Sequence, residues 1–136
     1  MKQILVVDDD DGTADAIAEL LRDSGYDAIT ATTGEQALAK LRRSRPDLLI
    51  LDMFMPGLDG WQVLESIASD PQLARIPKVA MTAWPRPIEL PPGVTLLRKP
   101  FEWDALARLV RNALRPTLPR LPRDTESSRA VLLPAP

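Results

Sequence analysis

The first 115 residues alternate between two kinds of apolar pattern. Short unbroken runs form the first kind: Ile4-Leu5-Val6-Val7, a weaker stretch from Tyr26 to Ala31, Leu48-Leu49-Ile50-Leu51, Ile76 to Met81, and Val94 to Leu97. Runs of this length that are apolar at every position suit strands of a parallel sheet covered on both faces. The second kind recurs at helical spacing. Ala14, Ile17, Leu20 and Leu21 mark a helix stopped by Gly25; Ala37, Leu38 and Leu41 mark a second; Val63, Leu64 and Ile67 mark a third, with Pro71 beyond its end. Leu106, Leu109, Val110 and Leu114 mark a last one. Strand and helix in alternation, joined by right-handed crossovers, predict an α/β fold with a doubly wound, five-stranded parallel sheet and helices on both faces. Such sheets bind ligands beyond the carboxyl ends of their strands, at a topological switch point.

One interval breaks the alternation. Trp84 to Gly93 contains Pro85, Pro87, Pro91 and Pro92, too short and too proline-rich for a helix of three turns. A loop is expected there, with at most one helical turn near Ile88-Glu89, so the helix between the fourth and fifth strands is short or missing. Residues 116–136 carry Pro116, Pro119, Pro122, Pro134 and Pro136 without helical or strand periodicity. They read as a Pro- and Arg-containing mobile tail, with Val131-Leu132-Leu133 as a docking spot, appended to one domain spanning 1–115.

Composition narrows the function. A chain of 136 residues has room for one domain, and a hydrophobic content of 45% is enough for its core. The net charge of −2, with no basic stripe in residues 1–114, leaves direct DNA binding without an electrostatic footprint. There is no cysteine and no histidine, which excludes disulfides, thiolate metal sites and histidine chemistry on this chain. The apolar run near the start is too short for a signal peptide or membrane span, so a cytoplasmic location is expected.

Acids stand at the strand ends. Asp8-Asp9 follow the first run and Asp52 the third. In the predicted fold these carboxylates meet at the crevice, where their repulsion raises at least one pKa unless a cation intervenes. A hard divalent ion with an octahedral preference for oxygen, Mg2+, fits best. A plainer reading makes Asp8 to Asp11 the cap of the next helix, whose N-terminus favours anions. Asp10 and Asp11 are read that way; Asp8 and Asp9, directly after a buried strand, are read as metal ligands. Thr82 follows Val79-Ala80-Met81, and Lys99 follows Leu96-Leu97-Arg98. A hydroxyl and an ammonium facing carboxylates and a metal can hold the oxygens of a transferring phosphoryl group. Taken singly, a threonine at a strand end caps a turn and a lysine before proline is ordinary surface; their combination carries the reading.

Ile4-Leu5-Val6-Val7-Asp8-Asp9, the stretch Asp47 to Gly60 with its Asp52-Met53-Phe54-Met55-Pro56-Gly57-Leu58-Asp59-Gly60, Met81-Thr82-Ala83 and Lys99-Pro100-Phe101 together resemble the receiver domains of two-component response regulators. The likeness covers residues 2–115. It implies a flavodoxin-like, CheY-like sheet of order 2-1-3-4-5. It also implies that Asp52 is the phosphoacceptor, that Asp8, Asp9, Asp52 and the backbone carbonyl of Phe54 hold Mg2+, that Thr82 is the switch hydroxyl and that Lys99 binds the phosphoryl group. Lys99-Pro100 is expected to be cis. The implied partner is a histidine kinase or a histidine phosphotransfer protein, whose phosphoryl group moves to Asp52 and is slowly lost to water. Because no DNA-binding or enzymatic segment follows, the expectation is a stand-alone, non-enzymatic switch acting through an unknown downstream protein.

The sequence departs from the family at three places. Leu96 stands where a tyrosine or phenylalanine is usual, three residues before the lysine, and prolines erode the helix before the fifth strand. Output is therefore not expected to run through the usual aromatic rotation and helix-mediated dimer. Phe54 and Trp84, two residues beyond Asp52 and Thr82, are bulky and predict slow loss of the phosphoryl group. Trp61 is read as packing over the Gly57–Gly60 turn, while Trp103 is divided between packing and partner contact. Two rival functions remain. Asp9-Asp10-Asp11-Gly12-Thr13 resembles the nucleophile motif of haloacid-dehalogenase-like phosphatases, with Asp9 attacking, although Asp52 to Pro56 is then unexplained. The other rival is a receiver-like interaction module that is never phosphorylated.

Overall fold

A computed structural model describes residues 1–115. The tail expected at 116–136, with its Val131-Leu132-Leu133 docking spot, lies outside the described residues.

The five apolar runs are strands: β1 (Gln3–Val7), β2 (Asp27–Ala31), β3 (Leu48–Asp52), β4 (Lys78–Thr82) and β5 (Val94–Arg98). All pair in parallel, in the order β2-β1-β3-β4-β5. The order reverses between β1 and β3, the two strands that end in acids. The helices are α1 (Asp11–Asp23), α2 (Gly34–Ser44), α3 (Gly60–Ala68), α4 (Pro71–Ala74) and α5 (Trp103–Leu114).

The unbroken apolar runs are explained by two cores. Alternate residues Leu5, Val7, Leu49, Leu51 and Ala80 face Ala37 and Leu41 of α2 and Val63, Leu64 and Ile67 of α3. Their neighbours Ile4, Val6, Leu48, Ile50, Val79 and Met81 face Ile17 and Leu21 of α1 and Leu106 and Val110 of α5. In the three central strands β1, β3 and β4 both faces are thus covered, as a parallel sheet wound on both sides requires. At about 1.5–3 kcal/mol per fully buried large aliphatic side chain, these two layers are the main source of stability.

Two details go beyond the sequence expectations. Pro71 lies beyond the end of the third helix, as expected, and it also opens α4, a single turn whose N-cap Asp70 accepts from the Gln72 and Leu73 amides and where a missing N–H costs nothing. The loop expected between the fourth and fifth strands is present, and it carries no helical turn at Ile88-Glu89. Residues 83–93 form an irregular strap from β4 to β5, with Ile88 and Leu90 half-buried against the α2–α3 core. Beside the strap a groove of about 620 Å³ runs between Trp61, Leu64 and Ala68 of α3 and Pro91, Pro92 and Val94. Among the described residues, no helix is long and apolar enough to cross a membrane.

Candidate functional site

β1 and β3 deliver Asp8 and Asp52 to the carboxyl edge of the sheet with little freedom, because the residues before them are fully buried. Asp8 and Asp52 are themselves buried, at 1% and 6% exposure, whereas Asp9 is exposed. One oxygen from each of Asp8, Asp9 and Asp52 lies within 4.8 Å of the others. The carboxylates expected to meet do meet.

Lys99 enters from the far end of β5. Its Nζ lies 2.6 Å from Asp8 Oδ2 and 3.4 Å from Asp52 Oδ2. The Lys99 amide donates to the Thr82 carbonyl at 2.7 Å, and the Lys99–Pro100 peptide is cis. The ammonium offsets part of the repulsion between two buried acids. Burial disfavours its charge, but the hydrogen bond to Asp8 and the charge of Asp52 outweigh that and raise its pKa above the ordinary lysine value. Asp52 moves the other way in character: burial lifts its pKa from 3.8 to about 6, the charge of Asp8 adds to this, and Lys99 with the Phe54 amide opposes it. A carboxylate that is buried, crowded and incompletely neutralised is a place where a further cation is welcome. The donor set of three carboxylates, with no nitrogen or sulfur, fits a hard divalent ion such as Mg2+.

The remaining residues sort by their hydrogen bonds. Asp10 is the N-cap of α1 and accepts from the Gly12 and Thr13 amides at 2.9 and 3.3 Å, while its own amide donates to Asp8 Oδ1 at 3.0 Å. Asp11 is the first helical residue, where an acid complements the helix dipole. Both take the capping role expected of them. Asp59 caps α3: its carboxylate accepts from the Gln62 amide, and the Gln62 side chain accepts from the Asp59 amide, each at 2.9 Å. Gly60 is required by contact, since a Cβ there would lie 2.6 Å from Met53 Cα. The Asp59-Gly60 pair thus seats α3 against the end of β3 and shapes the turn that carries Phe54.

Thr82 is fully buried at the end of β4, one residue beyond the Asp52–Met81 pairing. Its Oγ1 accepts from the Trp84 amide at 2.9 Å, so the hydroxyl is engaged with its own turn rather than with the acids. The Phe54 amide donates to Asp52 Oδ1 at 3.2 Å. Around the mouth, the Phe54 ring meets Trp61 edge-on, with centroids 5.1 Å apart, and Trp84 at 5.9 Å. Trp61 is half-buried and packs as expected, but its indole N–H also donates to the Glu89 carbonyl at 2.8 Å. Trp103 packs against the α1–α5 core. Sequence reasoning passed over Arg98, whose guanidinium donates to the Trp84 carbonyl at 2.8 Å and to the Arg86 carbonyl at 3.4 Å. Its available signal was an arginine on the strand that ends the sheet, beside a segment whose prolines lack amide donors.

Comparison with known proteins agrees with this geometry. Residues 4–90 match the family model of the response regulator receiver domain. The chain is 34% identical over 119 residues to the DNA-binding response regulator MtrA of Mycolicibacterium smegmatis, covering 84% of this chain and 51% of that one. It therefore spans about half the length of the curated relatives it matches. Among solved structures it superposes on the chemotaxis response regulator CheY4 of Vibrio cholerae with a TM-score of 0.77 at 28% identity, covering 84% of this chain and 99% of that one. The receiver domain of the hybrid histidine kinase CckA gives 0.70 at 35% identity, with coverage of 83% and 99%. By its fold, its strand order and this match, the chain belongs to the response regulator receiver domain family of two-component signalling.

Proposed function

We propose that the domain takes a phosphoryl group from a phosphohistidine, on a histidine kinase or a histidine phosphotransfer protein, onto Asp52. The observation that carries this is the Lys99 ammonium set between two buried carboxylates, Asp8 and Asp52, with Asp9 alongside. Asp8, Asp9, Asp52 and the Phe54 carbonyl would hold Mg2+, which supplies charge neutralisation and orientation of phosphoryl oxygens when bound. An Asp52 oxygen attacks phosphorus as the phosphorus–nitrogen bond of the donor imidazole, protonated on its other nitrogen, breaks, leaving an acyl phosphate here and a neutral histidine there. Lys99 and the Thr82 hydroxyl take the phosphoryl oxygens, which draws Thr82 away from the Trp84 amide. Hydrolysis of the acyl phosphate resets the state. The domain is read as a cytoplasmic switch of protein–protein contacts, not as an enzyme acting on separate substrates. DNA binding, which belongs to MtrA by its name, is not assigned to these residues, whose chain carries a net charge of −2.

Acetyl phosphate with Mg2+ tests the reading, with the mass of the intact chain as readout. Gain of one phosphoryl group, lost in Asp52→Asn and only weakened in Asp9→Asn, supports it. The reverse pattern of the two variants points to the phosphatase-like chemistry at Asp9. No gain in the unsubstituted chain leaves an interaction module that is never phosphorylated.

A further inference from the structure

The strap between β4 and β5 is held by side chains from outside it. Four prolines remove amide donors, and among the described residues the strap's own backbone contributes one long bond, Val94 N–H to the Pro91 carbonyl at 3.4 Å. Four other ties do the holding. The Trp84 amide is fixed on the Thr82 hydroxyl at 2.9 Å, the Trp84 and Arg86 carbonyls on Arg98 at 2.8 and 3.4 Å, and the Glu89 carbonyl on the Trp61 indole at 2.8 Å.

Two of these ties lead straight to the acid cluster. Thr82 is the hydroxyl beside the phosphoacceptor strand, and Trp61 packs edge-on against Phe54, two residues after Asp52. The Phe54 ring also meets Trp84, so the series Trp84–Phe54–Trp61 bridges the mouth from one end of the strap toward the other. Position 96 holds Leu96, half-buried, with no ring to rotate.

We propose that Trp61, through its indole N–H on the Glu89 carbonyl and its ring on Phe54, is the latch that keeps the strap, residues 83–93, closed before Asp52 is phosphorylated. The proposal rests on Asp52 being the phosphoacceptor. When Thr82 turns to the phosphoryl oxygens, the Trp84 amide loses its acceptor and the aromatic bridge rearranges. The indole then releases Glu89, and the strap loosens over the α3 groove. Trp61 is a positioning residue in this scheme: it touches no reacting atom and sets how much the strap changes between two states.

Hydrogen exchange on the full chain, read by mass spectrometry with and without acetyl phosphate and Mg2+, tests this, with phosphoryl occupancy taken from the intact mass. Peptides covering 84–93 are expected to exchange about threefold or more faster in the phosphorylated chain, with α1 and α5 unchanged. Trp61→Phe keeps a ring against Phe54 and removes the N–H donor. It is expected to reach the same occupancy, to exchange fast in the strap beforehand, and to show little further change on phosphorylation. Strap exchange that does not respond in a fully occupied chain, or a response of full size in Trp61→Phe, overturns the latch. Failure to gain mass overturns the reading of Asp52 instead. The latch is then judged on the unmodified proteins, and equal strap exchange in both overturns it as well.

Discussion

The two faces of the sheet are built differently. One is closed by α1 and α5, helices of 13 and 12 residues whose Ile17, Leu21, Leu106 and Val110 are buried against β1, β3 and β4. The other is closed by α2 and α3 and then, over β4 and β5, by a proline-rich strap with half-buried Ile88 and Leu90 and a groove of about 620 Å³ beside it. Yet the acids sit on the edge that both faces share. Asp8, Asp52 and Lys99 need only the strand order and register, so one helix can be replaced by irregular chain without disturbing them. What changes is the surface that any rearrangement at the site would move. A helix carries its own hydrogen bonds, whereas the strap depends on Thr82, Arg98 and Trp61.

The sharpest way to break this contrast is to cut apolar side chains on each face. Leu106→Ala, at a fully buried position, is expected to cost about 3 kcal/mol of unfolding free energy. Leu90→Ala, on the half-buried strap, is expected to cost about 1 kcal/mol. Urea denaturation of both variants checks the difference. Equal costs would mean that the strap is a structural equal of the helical face, and the contrast would fail.

The sequence showed the helical face in detail and the strap only as a loop, for a physical reason. Leu106, Leu109, Val110 and Leu114 carry a helix in their own spacing, and Asp8, Asp52 and Lys99 declare themselves by ending apolar runs. Information of that kind is local. The strap's conformation is settled by partners far along the chain: the Trp61 indole, 28 residues before Glu89, and Arg98, 14 residues after Trp84. A turn at Ile88-Glu89 was a fair expectation from local pattern, but the Glu89 carbonyl goes to Trp61 and Ile88 to the core. Pro71 was placed correctly beyond α3, but the turn of α4 that it opens stayed hidden for the opposite reason. One proline serves equally as the residue after one helix and the first of the next, and only the Asp70 cap distinguishes them.

A second prediction concerns the shared edge. With a folded pKa of about 6 against an ordinary 3.8, Asp52 keeps a proton in the folded state that the unfolded chain gives up. Stability therefore falls as pH rises between about 4 and 6, and the loss persists above that window. The penalty is on the order of 3 kcal/mol in the absence of divalent metal. Asp52→Asn removes the charge, so it is expected to be about 3 kcal/mol more stable than the unsubstituted protein at pH 8 in chelator and nearly equal to it at pH 4. Denaturation curves at the two pH values decide the matter. Parallel behaviour of the two proteins would show that burial of Asp52 is not the source of strain. It would also remove the electrostatic reason for a cation at this edge.

The smallest expected effect lies where the two regions meet, at the aromatic mouth. Phe54 and Trp84 are each nearly half exposed, and their rings stand 5.9 Å apart beside Asp52 and Thr82. Water that hydrolyses an acyl phosphate on Asp52 must be held in line with the aspartyl oxygen it displaces; the Phe54 ring offers it no hydrogen-bond partner, and the Trp84 indole offers a donor but no acceptor for the water's proton. If Asp52 is phosphorylated as proposed, slow loss of the phosphoryl group is the expected outcome. Phe54→Asn supplies a carboxamide able to orient water and is expected to shorten the lifetime about threefold, equivalent to some 0.7 kcal/mol of barrier. Trp84→Ala opens the mouth without adding a polar group and is expected to shorten it less. The time course of intact mass after removal of acetyl phosphate measures both. If Trp84→Ala shortens the lifetime more than Phe54→Asn, then ring bulk on the strap side controls water, and the strap does more than report on the site. If Phe54→Asn leaves the lifetime unchanged or longer, the rings are not the barrier, and the stability of the acyl phosphate must come from Lys99 and the buried edge that both faces share.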